Sequence, residues 1–387
     1  MSNARTALII GAGIGGLAAG VALRRAGWRI RIHERASGLR ELGFGLGLAP
    51  NALAALNELG VAETVTSAGS RLAKVELRYA NGQVLRRLNL QFGLPSVVAL
   101  RPDLYGALLT AVGDEALRLG SEAVSINPGA GDVTVRFKDG STDTGDVLVG
   151  ADGIHSVIRK WLHPHERPPR PSGFCAVRGV AYGVGHFLGD LSGVGYLDDA
   201  IEAATVRASS DAVYWYVSLR SQDVEETTPQ AILNRRCADV EPPLRAIWSA
   251  TSSDDMRFDQ LFERDALRTW GNGRITLVGD AAHPLLPHTG QGAALALEDA
   301  VALGLVIAGS GDTARALRQY EVVRRRRTRA FVKLGPRIAR ITTTKNVAIK
   351  TLRALAIRWA PERLLALSAR SLQRDPHEKL RPQHVNG

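Results

Sequence analysis

Three groups of residues in this sequence have types and spacings suited to chemistry. Gly11-x-Gly13-x-x-Gly16 stands between an apolar run at residues 6–10 and a helix-compatible stretch at 17–26. An acid, Glu34, closes a second apolar-alternating run at 29–33. In a strand–turn–helix setting the first glycine permits the tight turn and the second lets backbone approach a pyrophosphate. The third lets helix and strand pack closely, and the helix N-terminus receives the anion. Glu34 would accept hydrogen bonds from a ribose diol, with Gly15 inside the turn and Arg35 beside the acid. This fingerprint does not by itself separate a nicotinamide from a flavin dinucleotide.

The second group follows a buried-strand pattern at 274–278: Gly279-Asp280-Ala-Ala-His283-Pro284, then Pro287-His288-Thr-Gly290-Gln-Gly292-Ala293 opening a helix. An aspartate after a strand can accept from a chain of hydroxyls. A helix starting near Gly292 would aim its free N–H groups at a site where negative charge develops. The third group is Val149-Gly-Ala-Asp152-Gly153, with Arg159 beyond it. These three strings, in this order between residues 8 and 299, resemble the flavin motifs of the single-component, class A FAD-dependent aromatic hydroxylases, built on the para-hydroxybenzoate hydroxylase fold. Residues 43–52 and 101–104 look like further elements of that family.

The resemblance implies an α/β fold: a Rossmann-like FAD-binding domain with an inserted antiparallel β-sheet substrate domain and C-terminal helices. It implies FAD contacts at the four glycines of the first turn, Glu34, Arg35, Arg101, Val124, Asp152, Gly279, Asp280, Gly290, Gly292 and Ala293. NADH or NADPH would be a transient co-substrate, in keeping with the lack of a second dinucleotide fingerprint. The implied reaction is monooxygenation of a planar, electron-rich aromatic or polyketide-like small molecule by O2, through a flavin C4a-hydroperoxide. A same-fold reductase without oxygen insertion and a non-catalytic flavin-loaded binding protein are the alternatives.

The substrate side rests on fewer residues. In the strand-like run at 212–217, alternation puts Tyr214 and Tyr216 on one face and Trp215 on the other. In the family this sheet roofs the flavin. Tyr214 or Tyr216 is therefore the candidate for assisting deprotonation of a substrate hydroxyl, and Arg207, Trp215 and Pro284 are candidate substrate contacts. Arg159 reads equally as a surface salt bridge or a ligand contact, and Arg178 as an exposed strand residue. His283 reads as structural, and residues 43–50 as a closing loop. No histidine spacing is backed by Cys or paired carboxylates, so no metal site is expected.

The elements that must position these groups alternate in kind. The βαβ-type pieces at 1–70, 97–163 and 265–330 predict a discontinuous FAD-binding domain. Residues 71–96 and 164–264 read as the β-rich substrate domain, including a hairpin turned at Asn81-Gly82. Residues 331–387 read as basic helices, interrupted at Pro336 and Pro361. A 387-residue chain with 45% hydrophobic and 22% charged residues is globular and long enough for two domains. Two cysteines exclude a disulfide framework and favour a reduced, cytoplasmic setting. The net charge of +11 is concentrated at the end: residues 315–387 carry 19 Lys+Arg against 4 Asp+Glu. These basic residues read as the solvated faces of surface helices, with no nucleic-acid partner. The apolar face at 345–372 is expected to dock on the FAD domain and not on a membrane surface. A monomer or weak homodimer fits the length.

Overall fold

The computed structural model describes residues 5–39, 44–90, 95–198, 200–308 and 310–361. Gly43 of the expected closing loop, and the chain from 362 to Leu372 and beyond, lie outside the described residues. The apolar run Thr6–Ile10 is buried throughout and forms the middle of a five-stranded sheet. The strand order is Ile275–Leu277, Val147–Gly150, Thr6–Ile10, Arg29–His33, Leu117–Arg118, all parallel. Parallel strands covered on both faces read as continuous apolar runs, which is how 6–10 and 147–150 read. The helices Ile14–Arg25 and Gly292–Ala308 pack on each other over a seam of small residues. There a Cβ on Gly304 would lie 3.0 Å from that of Ala22, and one on Gly15 3.5 Å from that of Ala296.

The second body is a seven-stranded sheet in the order Met256–Glu263, Arg170–Tyr182, Ala212–Arg220, Ile201–Arg207, Gly193–Asp198, Lys74–Arg78, Val84–Asn89. Its pairs are antiparallel except for Gly193–Asp198 beside Lys74–Arg78. The early hairpin turns at Gly82, whose φ of +80° favours glycine. Helices Pro229–Arg236 and Leu244–Ser249 cover one face, where Val217, Ile232, Ile247 and Trp248 form a core.

Trp215 belongs to that core, at 0% exposure, and donates from Nε1 to Thr251 Oγ1 at 2.9 Å. The expectation that Trp215 touches substrate is thus corrected: alternation turns it away from the face that Tyr214 and Tyr216 share. Arg207 is corrected as well. Its guanidinium donates to the carbonyls of Leu191, Gly185 and Gly189 at 3.0, 2.8 and 2.7 Å. It closes the turn at 185–191, and strand alternation puts it on the Trp215 side of the sheet, away from the face that Tyr214 and Tyr216 share.

The C-terminal helices differ from expectation in three ways. Helix Thr313–Thr342 runs through Pro336 without ending. Packing on both sides of the lost hydrogen bond, Gly335 over Leu286 and Ala339 in a cluster with Phe174 and Leu261, holds it together. Not all of the basic residues are solvated, since Arg324 and Arg353 are buried. The helix Val347–Trp359 lies on the seven-stranded sheet, not on the FAD domain, and is held there by polar groups. Arg353 donates to the carbonyls of Ile341, Thr342 and Leu197, Lys350 pairs with Asp198, and Arg86 donates to the carbonyls of Ile357 and Ala360.

If Trp215 is core and not pocket, Trp215→Ala should cost about 3–5 kcal/mol of stability. Denaturant titration should show that loss while the folded protein keeps its full flavin content. A stable variant with altered substrate affinity would return Trp215 to the pocket.

Candidate functional site: the carboxyl edge of the parallel sheet

Each sequence motif emerges where a parallel strand ends, so the topology brings them to one edge. Gly11 follows Thr6–Ile10, Asp152 follows Val147–Gly150, Asp280 follows Ile275–Leu277, and Glu34 follows Arg29–His33. Gly11 has a φ of +104°, and any side chain there would strike the Ala151 carbonyl; one on Gly16 would strike Gly11 itself. In contrast, Gly13, Gly153, Gly290 and Gly292 have no atom within 4 Å of where a Cβ would stand. The first pair holds the turn closed, and the second set leaves open space in front of it. Glu34 is fixed by two backbone amides, accepting from Ala12 N at 2.9 Å and Ala36 N at 3.0 Å. Arg35, beside it, is exposed, and so is Val124 on the strand Ala123–Pro128.

Asp152 accepts from Val157 N at 2.7 Å through Oδ2, capping the helix Val157–Leu162, while its Oδ1 is buried without a partner. Burial pushes its pKa up against those hydrogen bonds. Asp280 is exposed at its surface yet surrounded by protein, the condition of a group lining a deep cleft. Burial raises its pKa, opposed by the charges of His283 and of Arg101, which opens the helix Arg101–Val112. Gly290, at φ +61°, turns the chain into the helix Gly292–Ala308, and the first-turn N–H groups at Gly292 and Ala293 have no intrahelical acceptor.

Beneath this edge lies a polar cluster that the motifs do not reveal. Asp299 accepts from Gly279 N at 2.9 Å, pairs with His283 Nε2 at 2.5 Å, and binds Arg324 Nε at 2.7 Å. Arg324 also grips Glu298 Oε2 at 2.5 Å and the Leu295 carbonyl, and Asn51 donates to both Glu298 and Gln291. Burial opposes ionisation of Asp299 and Glu298, but Arg324, with His283 or Arg327, outweighs it and holds both carboxyls below the usual range. His283 is structural, as its sequence context indicates. One sequence signal was available: the acidic pair at 298–299 interrupts an otherwise apolar helix. Arg159 is not a surface residue. Fully buried, it binds Glu166 and donates to the carbonyls of Ala281, Ala282 and Asp265, tying the middle motif to the Gly279 turn.

Facing this edge is the open side of the seven-stranded sheet. Tyr214 and Tyr216 are half-buried on it, and a side chain on Gly45, in the strand Gly45–Leu48, would strike the Tyr214 ring. Arg178 binds Asp259 at 2.6 Å and lies over the Phe44 ring. Tyr216 donates to Glu202 Oε1 at 3.2 Å, and Thr342 donates to Glu202 Oε2 at 2.5 Å. His288 Nε2 meets Ser218 Oγ at 2.9 Å and lies 3.9 Å from Glu202. Burial lowers the His288 pKa to about 4, raises that of Tyr214 to about 12, and raises that of Glu202 despite its hydrogen bonds and Arg353. Burial, then the Glu202 charge, raises the Tyr216 phenol well above its ordinary range. Sequence reading missed Glu202, because a lone glutamate in a strand carries no signal of the partners that folding brings to it. Pro284 is buried directly after His283.

The site fits a dinucleotide with a long hydroxylated arm. Backbone amides and open glycine space suit the pyrophosphate, Glu34 the ribose, and Asp280 with the unpartnered Asp152 Oδ1 the hydroxyls. The Gly292 helix start suits the electron-accepting edge of a flavin ring. A family model described as the FAD binding domain matches residues 4–334. The chain is 32% identical to the aurachin C monooxygenase/isomerase of Stigmatella aurantiaca, over 97% of this chain and all of that one. It is 32% identical to the 3-hydroxybenzoate 6-hydroxylase of Klebsiella oxytoca, covering 86% and 87% of the two chains. The solved structure of Klebsiella pneumoniae HpxO with FAD and uric acid superposes with a TM-score of 0.88 at 26% identity, covering 94% of this chain and 95% of that one.

The fold and site thus define an FAD-dependent monooxygenase of the aromatic-hydroxylase class. This chain belongs to the FAD binding domain family, and NAD(P)H is its co-substrate. Among the described residues no helix is long and apolar enough to cross a membrane, and no metal cluster is present.

Asp280→Ala should weaken FAD binding at least about tenfold, since hydrogen bonds to a charged group contribute roughly 1.5–3 kcal/mol. The apoprotein's melting temperature should hold or rise, because the carboxylate is costly where it stands. Unchanged FAD affinity by fluorescence titration would remove Asp280 from the cofactor site.

Proposed function

We propose that the substrate is a planar aromatic or heteroaromatic ring bearing an ionisable hydroxyl, held between the Tyr214–Tyr216 face and the Gly279–Gly292 edge. The observation that carries this reading is the Tyr216–Glu202 hydrogen bond, made to a carboxyl whose pKa is raised by burial. A substrate hydroxyl would pass its proton to the Tyr216 oxygen while Tyr216 passes its own to Glu202. The resulting oxyanion enriches the ring carbon to be attacked. The raised pKa makes Glu202 a stronger base than an exposed carboxylate. His288, kept neutral by burial, adds no charge that would trap the proton.

FAD, reduced by NAD(P)H, supplies the activated oxygen: one atom of O2 goes to the ring and the other leaves as water. The chain's own contribution is placement. Asp280, Arg101 and the Gly292 helix start orient the cofactor, and Tyr214, Pro284 and the strand Gly45–Leu48 exclude water. Hydroxyl-bearing or tautomeric planar rings are what the similar proteins are named for, 3-hydroxybenzoate and uric acid among them. Two buried free cysteines support a reduced, cytoplasmic setting. A monomer or weak homodimer without nucleic acid completes the reading.

Turnover of a hydroxylated aromatic panel under isotopically heavy dioxygen should place one heavy atom in the product. NAD(P)H oxidation without incorporation would instead indicate a reductase. With a productive substrate, the rate of the wild type should rise with pH through an acid limb set by Glu202. Glu202→Gln and Tyr216→Phe should both lose that limb and recover at pH values where the substrate ionises unaided. An unaltered pH profile in both variants would exclude the relay.

A further inference from the structure

The helix Val347–Trp359 is docked with its polarity reversed. Lys350, Arg353 and Ile357 follow three- and four-residue spacing and face the protein, where the two cations bind Asp198 and backbone carbonyls. On the opposite face Leu352, Leu355 and Trp359 are 69%, 50% and 72% exposed, and Val347, at the helix start, is 74% exposed. A helix that only covered a sheet would bury its leucines and release its cations to water. Here specific polar bonds hold the leucines and the tryptophan outward, on a helix that Asn346 caps through its side chain.

The charge around this face selects the occupant. Residues 313–359 carry 14 Lys+Arg and one acid, Glu321, which is buried and paired with Arg318. Arg326, Arg329, Lys333, Arg337 and Arg340 are exposed along the long helix, and Arg358 is exposed beside Trp359. A second copy would bring the same sign to the contact. The chain beyond residue 361 would too, with five Lys+Arg against three acids. An apolar face edged by tryptophan and set in a cationic field matches an anionic bilayer interface, where such helices lie flat with the apolar side in the headgroup–acyl boundary.

We propose that Val347–Trp359 is an interfacial anchor that seats this enzyme on anionic membrane, with Leu352, Leu355 and Trp359 inserted. The full-length, FAD-loaded protein should co-sediment with vesicles of equal parts phosphatidylcholine and phosphatidylglycerol, and much less with phosphatidylcholine alone. Raised salt should weaken the binding. The triple variant Leu352→Glu/Leu355→Glu/Trp359→Glu should bind at least about tenfold less, a loss of roughly 1.4 kcal/mol. Its flavin content and melting temperature should match the wild type, because the inward stripe is untouched. Absence of wild-type binding, or equal binding by the variant, overturns the proposal. So does a concentration-dependent dimer that the triple substitution dissolves, which would make a second copy the occupant.

Discussion

The arrangement depends on one buried contact: the Arg324 guanidinium forked between Glu298 and Asp299. Two carboxylates on adjacent positions of an apolar helix stay ionised in that interior through it, together with Arg327 on Glu298 and His283 on Asp299. With Arg324 in place, Asp299 has acceptor capacity left for the Gly279 amide and His283. That fixes the turn from which Asp280 projects. The same arginine belongs to the long C-terminal helix, so the helix after the second motif, the Gly279 turn and the C-terminal segment are one mechanical unit. Arg159 performs the corresponding task from the other side, joining the middle motif to the carbonyls of Ala281 and Ala282.

Charge is distributed differently on the two sides of the cleft. Beneath the cofactor edge the Glu298 and Asp299 carboxyls are held ionised by Arg324 and its neighbours, which makes a rigid, charged frame. On the roof the titratable groups are Tyr214, Tyr216, Glu202 and His288, and burial biases each toward its neutral form. A roof whose Glu202 takes up a proton readily, set over a charged frame, suits a reaction in which one proton moves early and negative charge later develops at the ring edge. Thr342, which bonds Glu202, lies in the last turn of the long helix, so the roof and the frame share that element.

Most of the cofactor side was legible in the sequence because it consists of backbone geometry. Glycines at fixed offsets, and acids directly after strands, announce their roles locally. The parallel strands were legible for the same reason, being short apolar runs between turn signals. The roof was legible only in part. Alternation places Tyr214 and Tyr216 together, yet does not say which face turns inward, so the place of Trp215 in the core is not readable from it. Arg207, Arg324 and Arg353 show the general limit: an arginine's role is set by carbonyls and carboxylates brought near by folding, which no local pattern records. The terminal helix misled for a related reason. Its amphipathic spacing was evident, but the direction it faces was decided by Asp198 and the carbonyl of Leu197, far away in the chain.

The central claim, that the Arg324 fork sets the flavin edge, is most directly measured by titrating the Arg324→Lys apoprotein with FAD beside the wild type. Lysine keeps the charge but cannot span two carboxylates and a carbonyl at once. The account predicts a folded variant whose FAD affinity falls at least about tenfold, an energy of roughly 1.4 kcal/mol. A folded variant that binds FAD as tightly as the wild type would contradict it.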